Sequence, residues 1–100
     1  MTSASTRDEI VQRIHARHHD LRELGVASLS LFGSSTRDRL TDDSDVDVLV
    51  RFDGKATFDA FMDLKLLLEG CLGRRVDLVT ETALRPQLRQ RIAADLLRVA

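Results

Sequence analysis

The chain has 100 residues, of which 43% are hydrophobic and 31% are charged, and its net charge at pH 7 is −1. This length predicts one small domain, residues 1–100, and excludes a second. The near-zero charge argues against direct DNA binding, and the chain has no apolar run of the about 18 residues that a membrane span needs, so we expect a cytoplasmic protein without membrane contact.

The first predicted element is a helix from about Arg7 to Leu24. Thr6 and Glu9 have the spacing of a capping box, whose side chains satisfy free amides at a helix start. Gly25 suits the left-handed residue that ends many helices. The apolar positions that predict the buried stripe of this helix are Ile10, Val11, Ile14, Leu21 and Leu24.

Two strands are predicted next. Val26 to Phe32 alternates apolar residues with serine, which is the period of a half-buried strand, and Gly33 ends it. Asp45 to Phe52 predicts a second strand, with three valines and the phenylalanine on one face. The residues predicted to lie on its other face are Asp45, Asp47, Leu49 and Arg51.

Helix, strand and helix complete the chain. Leucines and phenylalanines from about Thr57 to Glu69 predict the main core helix, which Gly70 is expected to stop. Arg75 to Thr80 predicts a third strand, and Pro86 fits the first turn of a last helix. The apolar residues of that last helix are Leu88, Ile92, Leu96 and Val99. The order αβ(α)βαβα predicts an α/β (α+β) fold with a small three-stranded sheet and about four helices.

Asp45 and Asp47 are the first candidate site residues. Standing two apart at the start of a strand, they leave the same face with Cα atoms about 6.5–7 Å apart. Like charges this close raise each other's pKa unless a cation neutralises them, and hard oxygen ligands favour Mg²⁺ or Mn²⁺. A calcium loop is excluded because Val48 and Gly54 stand where glycine and glutamate are needed.

Asp77 is the third candidate carboxylate, set inside an apolar strand. If the third strand lies beside the second, Asp77 faces the same site as Asp45 and Asp47. The alternative is an aspartate at the edge of the sheet, paired with Arg74 or Arg75.

The turn after the first strand contains Gly33, Ser34 and Arg37. Glycine lets the backbone approach a ligand closely, and amides at a helix start bind anions, so this turn is a candidate phosphate cradle. A simple helix cap made by Ser35 and Asp38 is the alternative interpretation.

Taken together, Gly33-Ser34, Arg37, Ser44-Asp45-Val46-Asp47 and Val76-Asp77-Leu78-Val79 resemble the nucleotidyltransferase superfamily that includes DNA polymerase beta, and within it the minimal nucleotidyltransferase (MNT) domains. The resemblance implies a sheet flanked by helices and transfer of a nucleoside monophosphate from a triphosphate to a hydroxyl, with two metal ions.

The resemblance also implies roles for individual residues. Gly33 and Ser34 would hold phosphates, while Arg37 and Ser44 belong to the same nucleotide-binding motif. Asp45, Asp47 and Asp77 would hold two Mg²⁺ ions, with Mn²⁺ possible, and Asp77 would help to deprotonate the acceptor. Asp38 departs from the glycine that many members have, and it places a negative charge near the proposed phosphates.

MNT proteins of this size are commonly antitoxins of HEPN-domain ribonuclease toxins. The resemblance therefore implies transfer of AMP from ATP to a tyrosine hydroxyl of a HEPN toxin and a possible hetero-oligomer with it. Two alternatives stay open: a non-catalytic module that neutralises its partner by occlusion, and a transferase for a small hydroxylated molecule such as an aminoglycoside.

Two further features are interpreted as structural. His15, His18 and His19 lie near one another on the first predicted helix, and a solvated helix face is favoured over a metal site. Cys71 is the one cysteine of the chain, so it is predicted to be a packing residue and not a redox group.

Overall fold

A computed structural model describes residues 3–33, 45–54, 56–83, 86–87, 90 and 96–100 of the chain. The three predicted strands and the main core helix are present among these residues, and the mixed α/β fold class is confirmed. The short helix predicted between the first two strands lies outside the described residues. The elements are α1 (Arg7–His15), α2 (His18–Glu23), β1 (Val26–Leu31), β2 (Val46–Phe52), α3 (Phe58–Leu72), β3 (Val76–Thr80) and β4 (Leu97–Arg98), with a short 3₁₀ helix at Glu81–Ala83.

The sheet has four strands in the order β3-β2-β1-β4, not the three that were predicted. β2 and β3 are parallel, whereas β1 runs antiparallel to both β2 and β4. The fourth strand comes from the end of the predicted last helix, where Leu97 pairs with Leu31 and Arg98 pairs with Ser30. The prediction of a helix was wrong at these residues. The edge of β1 offers backbone groups for hydrogen bonding, and pairing with a strand satisfies them.

The two faces of the sheet have opposite character. On the core face, Leu31, Val48 and Val50 have no exposed surface and pack in one cluster with residues of α1 and α3. The opposite face carries the alternate residues of the same strands, which are half-buried or exposed, as the alternation predicts. We call it the carboxylate face; its residues are Ser28, Ser30, Asp47, Leu49, Arg51, Asp77, Val79 and Arg98.

The predicted first helix is two helices. Thr6 begins α1 as expected, since its hydroxyl accepts a hydrogen bond from the Glu9 amide at 3.2 Å. The helix ends at His15, and the amide of Arg17 bonds back three residues to the carbonyl of Ile14. The break falls where the apolar stripe skips a turn, because residues 15–19 are all exposed.

The end of α3 differs from the prediction by one turn. Gly70 lies inside the helix, and Gly73 ends it in the left-handed conformation with φ of 66°. The helix continues past Gly70 because Cys71 and Leu72 are buried and extend the apolar stripe of Leu64 and Leu68.

Two members of the predicted core set of α3 lie on its surface. Phe58 is 77% exposed and Leu66 is 61% exposed, so the interpretation of the whole leucine and phenylalanine set as core was wrong at these positions. Phe58 is the first residue of the helix, and Leu66 stands on the side that faces away from the sheet, in line with exposed Asp59 and Asp63.

The predicted last helix is described only in part. Residues 86, 87 and 90 have helical backbone, while Leu88 and Ile92 lie outside the described residues. In the parts of the chain that the structure describes, no helix combines the length and the apolar character needed to cross a membrane.

Candidate active site

Asp47 and Asp77 lie side by side on the carboxylate face. Asp47 in β2 is the register partner of Asp77 in β3. Parallel strands are about 4.8 Å apart, and in-register residues project from the same face, so the two carboxylates share one site. The structure thus brings together the second and third candidate carboxylates, as the sequence analysis expected if the strands were neighbours.

Asp45 lies just before β2 at the rim of this site. Its carboxylate forms an ion pair with the Arg75 guanidinium, and the Oδ1 and Nε atoms are 3.4 Å apart. Arg75, which with Arg74 was the alternative partner expected for Asp77, pairs with Asp45. The carbonyl of Arg75 also accepts the Val46 amide at 2.9 Å, so the chain segments that carry Asp45 and Asp77 are joined directly.

The environment of Asp47 disfavours its charged form. Burial raises the pKa of Asp47 above its ordinary value, and the charges of Asp77 and Asp45 raise it further. Negative charge is therefore concentrated around a half-buried carboxylate, Asp47, with exposed Asp45 and Asp77 beside it, and a cation bound there would be stabilised.

Gly33 completes the described part of the site. It follows β1 with φ of 61°, and a Cβ built on it would stand 2.7 Å from Oδ2 of Asp47. The amide of the preceding residue, Phe32, donates to the carbonyl of Asp47 at 3.1 Å. Gly33 thus lies directly against the Asp47 carboxylate, and the lack of a side chain at position 33 is what permits this approach.

Several candidate residues of the sequence analysis lie outside the described residues. They are Ser34, Arg37 and Ser44 of the nucleotide-binding motif, together with Ser35 and Asp38. Their predicted roles stay predictions.

Glu69 is a residue that the sequence analysis did not single out. Its Oε2 accepts a hydrogen bond from the Val76 amide at 3.0 Å, which ties the last turn of α3 to the start of β3. A carboxylate near a helix C-terminus is unfavourable for the helix dipole, but this local feature does not identify the amide that Glu69 binds. Glu69 fixes the strand residue that stands between Arg75 and Asp77.

The predictions for histidine and cysteine agree with the structure. His15, His18 and His19 are exposed, and His19 pairs with Glu23 at 3.3 Å. Cys71 is buried, and its thiol donates to the Arg13 carbonyl at 3.2 Å. Within the described ranges, no three side chains of histidine, cysteine, aspartate or glutamate are grouped closely enough to form a metal site by themselves.

The donor chemistry nevertheless fits a divalent cation that is shared with a substrate. Mg²⁺ typically takes one or two protein carboxylates, and water and substrate phosphates supply its other ligands. Asp47 and Asp77 offer such a pair in register, and burial together with the charge of Asp77 raises the pKa of Asp47, so a bound cation would offset both effects. The carboxylates thus suit a hard cation held jointly with phosphate oxygens.

The family model of the nucleotidyltransferase domain matches residues 15–99 of this chain. The protein adenylyltransferase MntA of Thermococcus cleftensis is 36% identical over 95 residues, which span 94% of this chain and 96% of the relative.

Solved structures share the fold. A structure described as a minimal nucleotidyltransferase aligns with a TM-score of 0.83 and 34% identity, covering 96% of this chain and 98% of that chain. An MNT antitoxin in complex with the tri-AMPylated HEPN toxin of Shewanella oneidensis aligns with a TM-score of 0.67 and 21% identity, covering 94% of this chain and 71% of the other. At that lower identity the likeness shows the fold alone.

Proposed function

Since this chain belongs to the nucleotidyltransferase domain family, we propose that it transfers AMP from ATP to a tyrosine hydroxyl of a partner HEPN-domain ribonuclease toxin and acts as the antitoxin of that toxin. The observation that carries the proposal is the register pairing of Asp47 with Asp77 beneath the glycine turn at Gly33. A relative named protein adenylyltransferase, aligned over nearly its whole length, supports protein as the acceptor.

In this proposal the hydroxyl oxygen forms a bond to the α-phosphorus while the bond from that phosphorus to the bridging oxygen breaks. Pyrophosphate leaves, and the hydroxyl proton passes to the carboxylate of Asp77. Such in-line transfer depends mainly on positioning and on stabilisation of charge. The described residues that position the reactants are Asp77 on β3, Asp47 on β2 and Gly33 after β1.

The proposed cofactors are two Mg²⁺ ions, with Mn²⁺ as the alternative, and ATP is the co-substrate. Asp45, Asp47 and Asp77 would hold the metal ions, which when bound stabilise the entering and leaving oxygens of the displacement. Gly33 would bring its backbone against the phosphates, together with Ser34, Arg37 and Ser44 of the same motif.

The proposal treats residues 1–100 as one nucleotidyltransferase domain. All the described buried apolar residues fall into one core cluster, and the family match runs across it. A domain this small encloses little of a substrate, so a partner protein would supply the other wall of the site.

The test is to incubate the chain with the protein of the adjacent reading frame, ATP and Mg²⁺, and to weigh the partner by intact mass spectrometry. We expect the partner to gain one or more AMP masses on tyrosine. Asp77→Asn should reduce the gain to a small residual rate, whereas Asp63→Asn, on the exposed side of α3, should leave it intact. If the partner gains no mass in the presence of folded wild-type protein, ATP and Mg²⁺, the proposal is rejected.

A double variant separates catalysis from occlusion. If the chain neutralised the toxin only by covering it, Asp45→Asn with Asp47→Asn would still restore growth of cells that express the toxin. We expect growth to fail in a folded double variant.

A further inference from the structure

The carboxylate face continues past the two aspartates as a row of residues in register. Val79 in β3 pairs with Leu49 in β2, Leu49 pairs with Ser30 in β1, and Ser30 pairs with Arg98 in β4. Val79 and Leu49 each stand two residues after Asp77 and Asp47, so this row lies about 6.5 Å from the carboxylates along the strands.

Leu49 and Val79 are the two apolar members of this row, and we call them the aliphatic shelf. Both are half-buried, whereas the strand residues beside them on the core face, Val48 and Leu78, are buried. The buried apolar residues of α1 and α3 join the core cluster with the core face of the sheet. In the described part of the chain, the core therefore gives no reason for two large aliphatic side chains on the face that carries the aspartates.

We propose that the aliphatic shelf binds the ring of the acceptor residue and selects a phenolic hydroxyl over an aliphatic one. This inference rests on the proposed function. A tyrosine whose hydroxyl lies at Asp77 can extend its ring along the strand direction over Val79 and Leu49, and its apolar body with a polar tip matches an apolar row beside a charged one.

Serine and threonine do not match this arrangement. Their hydroxyl stands one bond from Cβ, so an oxygen that reaches Asp77 brings the acceptor main chain down onto the sheet and leaves the shelf uncovered. Burial of an aromatic ring on two aliphatic side chains contributes to binding mainly through the apolar area removed from water. The shelf thus favours tyrosine in the affinity for the acceptor and leaves the affinity for ATP unaffected.

Two measurements test the shelf. In the first, the double variant Leu49→Ser, Val79→Thr is compared with wild type and with Leu66→Ser, which removes an exposed leucine from α3. We expect the KM for the partner protein to rise at least fivefold in the double variant, while the KM for ATP stays within twofold. Leu66→Ser should match wild type in both constants. If the KM for the partner is unchanged in the double variant, the proposal that the shelf binds the acceptor ring is rejected.

The second measurement needs no catalysis. Methyl-labelled wild type, with Mg²⁺ and a non-hydrolysable ATP analogue, is titrated with N-acetyltyrosinamide and separately with N-acetylserinamide. We expect NMR shifts of the Leu49 and Val79 methyl groups with the first compound only. Equal responses, or none, overturn the shelf. If these shifts occur but no partner is AMPylated, the proposed function is rejected and the binding of a phenolic ring by the shelf is supported. If AMP is transferred to the partner but these shifts do not occur, the proposed function is supported and the role of the shelf is rejected.

Discussion

Gly33 lies directly against the carboxylate of Asp47. A Cβ at position 33 would stand 2.7 Å from Oδ2, closer than real Cβ contacts come, and φ of 61° at Gly33 is itself unfavourable for other residues. The backbone conformation and the close contact with Asp47 therefore both favour glycine at position 33.

Gly33→Ala should cost both stability and activity. The left-handed conformation costs a residue with a Cβ about 1–2 kcal/mol, and the new methyl group displaces the Asp47 carboxylate. We expect a lower thermal midpoint and AMP transfer reduced at least tenfold. Gly25→Ala is the matched control, because φ there is 83° but a Cβ meets nothing within 4 Å. Gly25→Ala should lose a similar amount of stability, and its folded fraction should keep its activity. An equal loss of activity in both variants would contradict the claim that the contact between position 33 and Asp47 matters for AMP transfer.

Asp47→Asn should stabilise the metal-free protein. Burial raises the pKa of Asp47, and Asp77 and Asp45 add to the rise. A carboxyl whose pKa is higher in the folded chain contributes stability at low pH, and this contribution is lost as pH rises through the folded pKa. At pH 7 in EDTA we therefore expect the variant to unfold about 2–4 °C higher, a small effect because the group is partly screened by solvent.

The same pair of proteins provides the control. As the pH is lowered through the raised pKa of Asp47, the carboxyl of the folded wild type gains its proton, so the difference in thermal midpoint should shrink toward zero. Addition of Mg²⁺ and ATP at pH 7 should raise the midpoint of wild type but not that of Asp47→Asn. A variant that is less stable than wild type at pH 7 would mean that hydrogen bonds to Asp47 outweigh the repulsion.

The placement of Asp47 and Asp77 on the same face of the sheet could be predicted, because it depends on two simple rules. Alternation along a strand puts Asp45, Asp47 and Leu49 on one face, and neighbouring parallel strands then place Asp77 beside them. The observed register, Asp47 with Asp77, follows both rules.

Other parts of the site depend on distant contacts that no local pattern contains. β4 was missed because Leu96 and Val99 have a spacing that also suits a helix, and only the free edge of β1 decides between the two. Glu69 was missed because its partner amide belongs to Val76, which reaches it only after the turn at Gly73.

Glu69→Ala should loosen the start of β3. It leaves the amide of Val76, a buried residue, without its acceptor, which costs about 1–3 kcal/mol. Because Asp77 is the next residue, we expect AMP transfer to fall more than the fraction of folded protein explains. Glu69→Gln keeps an oxygen that can accept the bond and should restore most of the activity.

A double-mutant cycle with Asp77→Asn separates positioning from general damage. If Glu69 acts by positioning Asp77, Glu69→Ala should reduce the residual activity of Asp77→Asn far less than it reduces that of wild type. Equal factors in the two backgrounds would assign Glu69 a purely structural role.

Arg75→Gln should tighten metal binding with little change in stability. The Arg75–Asp45 pair is 3.4 Å long and its side chains are 84% and 48% exposed, so it contributes about 0–1 kcal/mol to folding. Its guanidinium offsets negative charge at the site, and its removal should lower the Kd for Mg²⁺ a few-fold, as measured by calorimetry at low salt. Arg51→Gln, two rows away from Asp47 along β2, should have a smaller effect.

Alkaline pH should destabilise the chain through Cys71. Burial raises the pKa of this thiol above its ordinary value of 9.0, against the opposing charges of Arg17 and Arg13. The protonated thiol therefore contributes stability in full below the ordinary pKa, and the contribution is lost as pH rises through the folded pKa. With one cysteine and no tyrosine in the chain, few other groups titrate in this range.

Cys71→Ser is the comparison for this prediction, since a hydroxyl can also donate to the Arg13 carbonyl, and it does not titrate near pH 9. Thermal midpoints measured from pH 7 to pH 10.5 should fall more steeply for wild type than for the variant, with the curves diverging above about pH 9. Parallel curves would mean that the thiol has the same pKa in the folded and the unfolded chain, and would contradict the prediction. Native Cys71 should also react with iodoacetamide much more slowly than the unfolded chain, because only 6% of the residue is exposed.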